Sequence, residues 1–159
     1  MSLLNYSTQV DVSKSVAEIN EVLVKHGARS ILTDMDEKGE VVSISFKVQL
    51  PRGEVAFRLP ANPESVMKII NLQTTKYKLS GGIYRKKVPV VPRSYYNDMS
   101  QARRVAWRIL KDWVEAQMAL IEVGMVQLHQ VFLPYAIMKD GQTVFEMIES
   151  KGLLLEHKS

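Results

Sequence analysis

The chain has 159 residues, 46% of them apolar and 24% charged, with no cysteine, so it can bury a core as one domain and is far from a disordered composition. Disulfide frameworks, thiolate metal sites and cysteine nucleophiles are excluded, and the cytoplasm is the expected compartment. The net charge of +4 is unevenly placed: Lys76 to Lys111 carries ten basic residues against Asp98 alone, so this stretch is +9 and the remainder −5.

In chain order, Asn5 to Val10 reads as a short strand. Ser13 or Ser15 with Glu18 forms a cap ahead of Val16, Ile19 and Leu23 at helical spacing, and Gly27 stops that helix. SILTDMD (30–36) and VVSISFKVQL (41–50) flank a turn at Asp36-Glu37-Lys38-Gly39, and Val42, Ile44, Phe46 and Val48 alternate as one buried face. Pro51-Arg52-Gly53 turns into EVAFRL (54–59), completing a three-stranded antiparallel meander. Asn62-Pro63 then supplies the cap and first position of a short helix through Val66, Ile69 and Ile70.

Between Thr74 and Asn97, Gly81-Gly82, Pro89 and Pro92 forbid a long helix, so 74–97 is expected as an exposed basic loop with room for a short strand or hairpin. Ser100 caps the longest helix, from Gln101 to about Phe132, whose wide apolar face includes Val105, Leu110, Val114, Met118, Val123 and Met125. Pro134 ends it, and Asp140-Gly141 leads to a final short helix, TVFEMIES (143–150), stopped by Gly152. The expected fold is a single α+β domain over 1–159: an α-β-β-β-α core at 13–72, the basic loop at 74–97 and a helical part at 100–150.

The basic loop interleaves cations with rings: Lys76-Tyr77-Lys78, Tyr84-Arg85-Lys86-Lys87 and Arg93-Ser94-Tyr95-Tyr96. Cations neutralise phosphates while aromatic faces stack on bases, the combination that holds single-stranded nucleic acid. Arg104, Arg108 and Lys111 form one stripe at the start of the long helix and extend this candidate surface. Two alternatives stay open: tyrosines that pack back onto the domain, and a stripe that only solvates its helix through the i, i+4 pairs Arg108–Asp112 and Lys111–Glu115. An acidic protein surface would suit the same charge.

No catalytic residue, metal site or cofactor is expected. Asp34, Asp36, Glu37 and Glu40 read as an ordinary acidic turn, because their spacing is wrong for a calcium loop, which needs a glycine at its sixth position together with a terminal bidentate glutamate. His26, His129 and His157 are far apart; His26 suits the end of a helix, where it complements the dipole. Gly81-Gly82 lies in no phosphate-loop pattern. Trp107 and Trp113 read as core rings. The N-terminal MSLLNYSTQVDV has no signal-peptide pattern, and no apolar run reaches the roughly 20 residues of a membrane span, so no membrane partner is expected.

Phe57-Arg58-Leu59-Pro60-Ala61-Asn62, the run from Ala106 to Gln117, and Val131-Phe132-Leu133-Pro134-Tyr135-Ala136 resemble a family of uncharacterised proteins of temperate phages and other mobile elements, over nearly the whole chain. The resemblance implies a phage or prophage setting, in which small basic proteins serve DNA recombination, replication or host takeover. The order of residues 13–72 is also similar to that of the double-stranded RNA-binding domain. That domain opens its last helix with a lysine cluster; here the helix opens Asn62-Pro63-Glu64-Ser65, with only Lys68 nearby. The expectation is a nucleic-acid-binding accessory protein, single strands favoured. The alternative is a protein–protein interaction module or homo-oligomer.

Overall fold

The computed structural model describes residues 1–83 and 85–152. In chain order the elements are α1 (Val12–Lys25), β1 (Ala28–Met35), β2 (Val41–Leu50), β3 (Gly53–Arg58), α2 (Pro63–Thr75), β4 (Tyr77–Leu79), β5 (Lys87–Pro89), a 3-10 turn (Arg93–Tyr95), α3 (Met99–Glu122), α4 (Leu128–Phe132), a second 3-10 turn (Leu133–Tyr135) and α5 (Val144–Lys151). The protein is therefore α+β, with the antiparallel meander β1-β2-β3 and a separate two-stranded pair, β4-β5. The chain divides into two compact units, each built from two separate stretches: Met1–Ile19 with Ala61–Val114, and Asn20–Pro60 with Glu115–Ser159.

In the second unit, Phe46 and Phe57 are direct cross-strand partners of β2 and β3, and their rings stack with centroids 5.3 Å apart. Phe132 of α4 meets Phe46 edge-on at 5.5 Å. All three rings are buried together with Ile44, Val48 and Leu59, which puts the large aromatic burial at the centre of this unit. The alternation on β2 holds from Ile44 onward, whereas Val42 is 48% exposed. The outer edge of β3 is partly occupied by an irregular segment: Ile137 N donates to Ala56 O at 2.8 Å, and Phe57 bridges Ala136. That pairing blunts an otherwise open sheet edge.

The long helix does not reach Phe132. Gly124 adopts φ 77°, its N–H donates to Ile121 O, and Met125 N–H donates to Leu120 O. These two bonds form a Schellman motif, which satisfies the last carbonyls and turns the chain out of the helix. Val123 and Met125 are consequently 69% and 71% exposed. A new helix, α4, starts with a reciprocal cap between Gln127 and Gln130, and Pro134 follows within a 3-10 turn. At α5, Thr143 and Glu146 form a capping box.

In the first unit, α2 starts as its sequence dictates, with Asn62 Oδ1 accepting from Ser65 N at 3.0 Å and Pro63 at the first position. It buries Ile70 against Val91 and Val105, with Leu3, Tyr6 and Tyr95 packed around them. Helix α3 begins one residue before Ser100, and Asp98 is its cap, accepting from Gln101 N at 2.9 Å. At α1, Ser13 and Ser15 lie inside the helix, and Ser15 is fully buried.

Residues 5–7 belong to a turn and 8–10 to no regular element, so the segment is not a strand. Gln101, 1% exposed, explains this. Its Nε2 donates to Tyr6 O at 2.8 Å and Thr8 O at 2.9 Å, while its Oε1 accepts from Arg104 Nε and a second guanidinium nitrogen at 3.0 and 2.6 Å. The side-chain amide is fully satisfied and supplies the donors that a partner strand would have given. Gln101→Leu leaves two carbonyls and a guanidinium without these partners. It is expected to cost at least ~1–3 kcal/mol in urea unfolding, with Leu3 and Tyr6 resonances shifting.

Candidate nucleic-acid interface

The basic stretch begins where α2 ends, at Lys76, whose backbone is extended. β4 and β5 pair Tyr77 with Pro89, Lys78 with Val88 and Leu79 with Lys87. The ladder continues at both ends, with Ser80 N donating to Lys86 O at 2.9 Å and Val90 N to Lys76 O at 2.8 Å. Gly81 and Gly82 lie between the strands, Gly82 at φ 140°, a value that side chains rarely adopt. Gln73 O accepts from Val91 N at 3.2 Å, tying the hairpin base to α2.

Strand alternation sorts the residues that the sequence interleaves. Successive side chains point to opposite faces, so Lys76, Lys78 and Lys86 share one face with Val88, while Tyr77, Leu79 and Lys87 share the other. Lys76, Lys78, Arg85, Lys86 and Lys87 are all exposed. None of the five charged groups has a partner among the described residues, although the Lys86 backbone N–H donates to Ser80 Oγ at 3.2 Å. Tyr84 lies outside the described residues.

On the tyrosine face, Arg93 donates a hydrogen bond to the Tyr77 hydroxyl. Tyr77, Arg93 and Tyr96 line one cavity of about 300 Å³ together with Thr74 and Thr75. Tyr77 and Tyr96 are 50% and 54% exposed, so both rings are partly open to solvent. The threonine hydroxyls donate to Asn71 O and Leu72 O at 2.7 and 2.8 Å, so towards a ligand they can only accept. Arg93 spends one of its five N–H donors on Tyr77, leaving donors for a phosphate or a base edge.

The remaining expected contacts are engaged elsewhere. Tyr95 is half-buried and packs edge-on to Tyr6, centroids 5.7 Å apart at 88°. Arg104 is held by Gln101. Arg108 donates to Glu18 Oε2 at 2.6 Å, with side-chain exposures of 18% and 28%, and Lys111 lies 3.9 Å from the same oxygen. Asp112 accepts from Asn5 Nδ2 at 2.7 Å and sits 3.7 Å from Lys111 Nζ. Glu18 thus answers the charge of the helix stripe, and the unanswered positive charge is concentrated on the hairpin. Thr74 and Thr75 were not legible as site residues; they close a helix in sequence and meet the cavity only because the hairpin folds back beside them.

The acidic turn is spent on its own geometry: Asp36 Oδ1 accepts from Lys38 N at 2.9 Å and Glu40 N at 3.0 Å, and Asp34 accepts from Ser43 Oγ at 2.7 Å. His26 Nδ1 is 2.8 Å from Val22 O and Nε2 is 3.8 Å from Glu122; His157 lies outside the described residues. Trp107 is fully buried, and Trp113 is half-buried. Among the described residues no helix is long and apolar enough to cross a membrane. Comparison with protein-family models, curated proteins and solved structures finds no match for the chain.

Proposed function

We propose that this protein is an accessory factor, of a phage or other mobile element, that holds single-stranded nucleic acid on the β4–β5 hairpin. The carrying observation is five cationic side chains on one hairpin with no partner among the described residues, beside a cavity lined by two exposed tyrosines and an arginine. Phosphates run along the lysine face, where each contact releases a counterion. A base stacks on Tyr77 or Tyr96, as sequence-tolerant single-strand binders use aromatic platforms. Duplex binding is disfavoured because paired bases hide the faces that the tyrosines need. The reading asks nothing of Arg108, Arg104 or Tyr95 beyond structural support.

A second reading has its own observation. Leu79 is 57% exposed and Ile83 is 96% exposed at the far end of the same hairpin. Apolar residues among cations suit an acidic protein surface or a second copy of the chain better than a polynucleotide.

Fluorescence anisotropy with labelled single-stranded and duplex DNA and RNA, at two salt concentrations, separates the readings. Binding of single strands that weakens steeply with salt supports the first; no binding of any polymer at low salt moves the assignment to a protein partner. In the first case, replacing Lys76, Lys78 and Lys86 by Ala together reduces the slope of log K against log salt by about 2.

Tyr96→Leu is expected to leave that slope unchanged while weakening binding by ~1–3 kcal/mol. Arg108→Ala behaves in the opposite way: it lowers stability in urea by roughly 1.5–3 kcal/mol, because Glu18 loses its hydrogen-bond donor and keeps only Lys111 at 3.9 Å, and leaves the salt slope untouched.

A further inference from the structure

We propose that the second unit carries a separate site for a small ligand with an apolar body and a carboxylate head. A cleft of about 380 Å³ opens at the β2–β3 turn, walled by Leu50, Val55, Phe57, Leu133 and Ala136. Its size falls within the ~300–1,000 Å³ of small-ligand sites, which typically combine apolar walls with a few polar groups that fix orientation. Here the polar groups are Arg52, on the turn, and His129, on α4. Both are exposed, and neither has a hydrogen bond or ion pair among the described residues.

That pairing selects the ligand. An apolar wall against water is relieved by any hydrocarbon of matching size. A guanidinium fork binds a carboxylate through two parallel hydrogen bonds, and the water-poor wall beside it strengthens the attraction. An imidazole adds a second polar contact for the same head group. A medium-chain monocarboxylic acid satisfies both halves of the cleft; a neutral alcohol satisfies only one, and an amine is repelled by Arg52. The inference shares no residue with the hairpin and stands whether or not nucleic acid binds there.

The test is a two-dimensional NMR titration of the ¹⁵N-labelled full chain with decanoate, decanol and decylamine, each below its aggregation threshold. The expected result is saturable shifts confined to residues 50–57 and 129–136, with decanoate binding at least tenfold tighter than decanol and decylamine weakest. Arg52→Ala, an exposed position that does not threaten folding, brings decanoate down to the affinity of decanol. Val55→Trp fills the cleft and abolishes both; Leu133→Trp, on the exposed rim, serves the same purpose should the strand variant fail to fold. Shifts that do not saturate or that fall elsewhere overturn the proposal. So does decanoate that binds no tighter than decanol and ignores Arg52→Ala.

Discussion

The first unit depends on one buried side chain. Gln101 is placed in the first turn of α3 by the Asp98 cap, and from there its amide fixes the carbonyls of Tyr6 and Thr8. This holds the N-terminal segment against the helix, and Tyr6 in turn packs at right angles to Tyr95. Tyr95 belongs to the 3-10 turn that also carries Arg93 and precedes Tyr96. A polar residue in a core costs stability unless every donor and acceptor is matched. Here they are, and the result is a positioned rim for the cavity beside the hairpin.

Charge on this protein is sorted by local geometry more than by amount. The helix stripe and the hairpin look equivalent as a run of basic residues, yet Glu18 lies within 4 Å of two cations on α3 while the hairpin lysines face solvent. An ion pair already formed inside the chain has little left to offer a phosphate, since breaking it costs what the new contact returns. The hairpin therefore dominates the long-range potential of the first unit.

Much of the architecture is legible in the sequence because it rests on local rules. The Asn62-Pro63 start, the meander, the stop at Gly27 and the last helix all follow from periodicity and turn chemistry. What periodicity hides is the end of α3: Val123 and Met125 continue the apolar pattern, and only Gly124, able to take positive φ, marks the break. The strand expected at Asn5 to Val10 fails for a different reason, because its hydrogen-bond partner is a glutamine some ninety positions away. The candidate site is legible in the same proportion. Its cations and rings can be read from Lys76 to Tyr96, but their division between two faces depends on a register set at the glycine tip. The roles of Tyr95 and Arg108 depend on Tyr6 and Glu18, to which nothing nearby in sequence points.

The ladder of β4 and β5 has three residue pairs and one further hydrogen bond at each end, and an isolated two-stranded hairpin is marginal in water. Its outer amides, such as Ser80 N–H bonded to Lys86 O, are expected to exchange with solvent through opening of the hairpin itself, at far less free energy than unfolding a unit. Anything that binds the closed hairpin and not the open one slows that exchange by a factor of 1 + [L]/Kd. Amides of the β1-β2-β3 sheet open by other routes and keep their rates. The molecule thus carries a built-in reporter of occupancy, readable at single residues and distinct from any change in global stability.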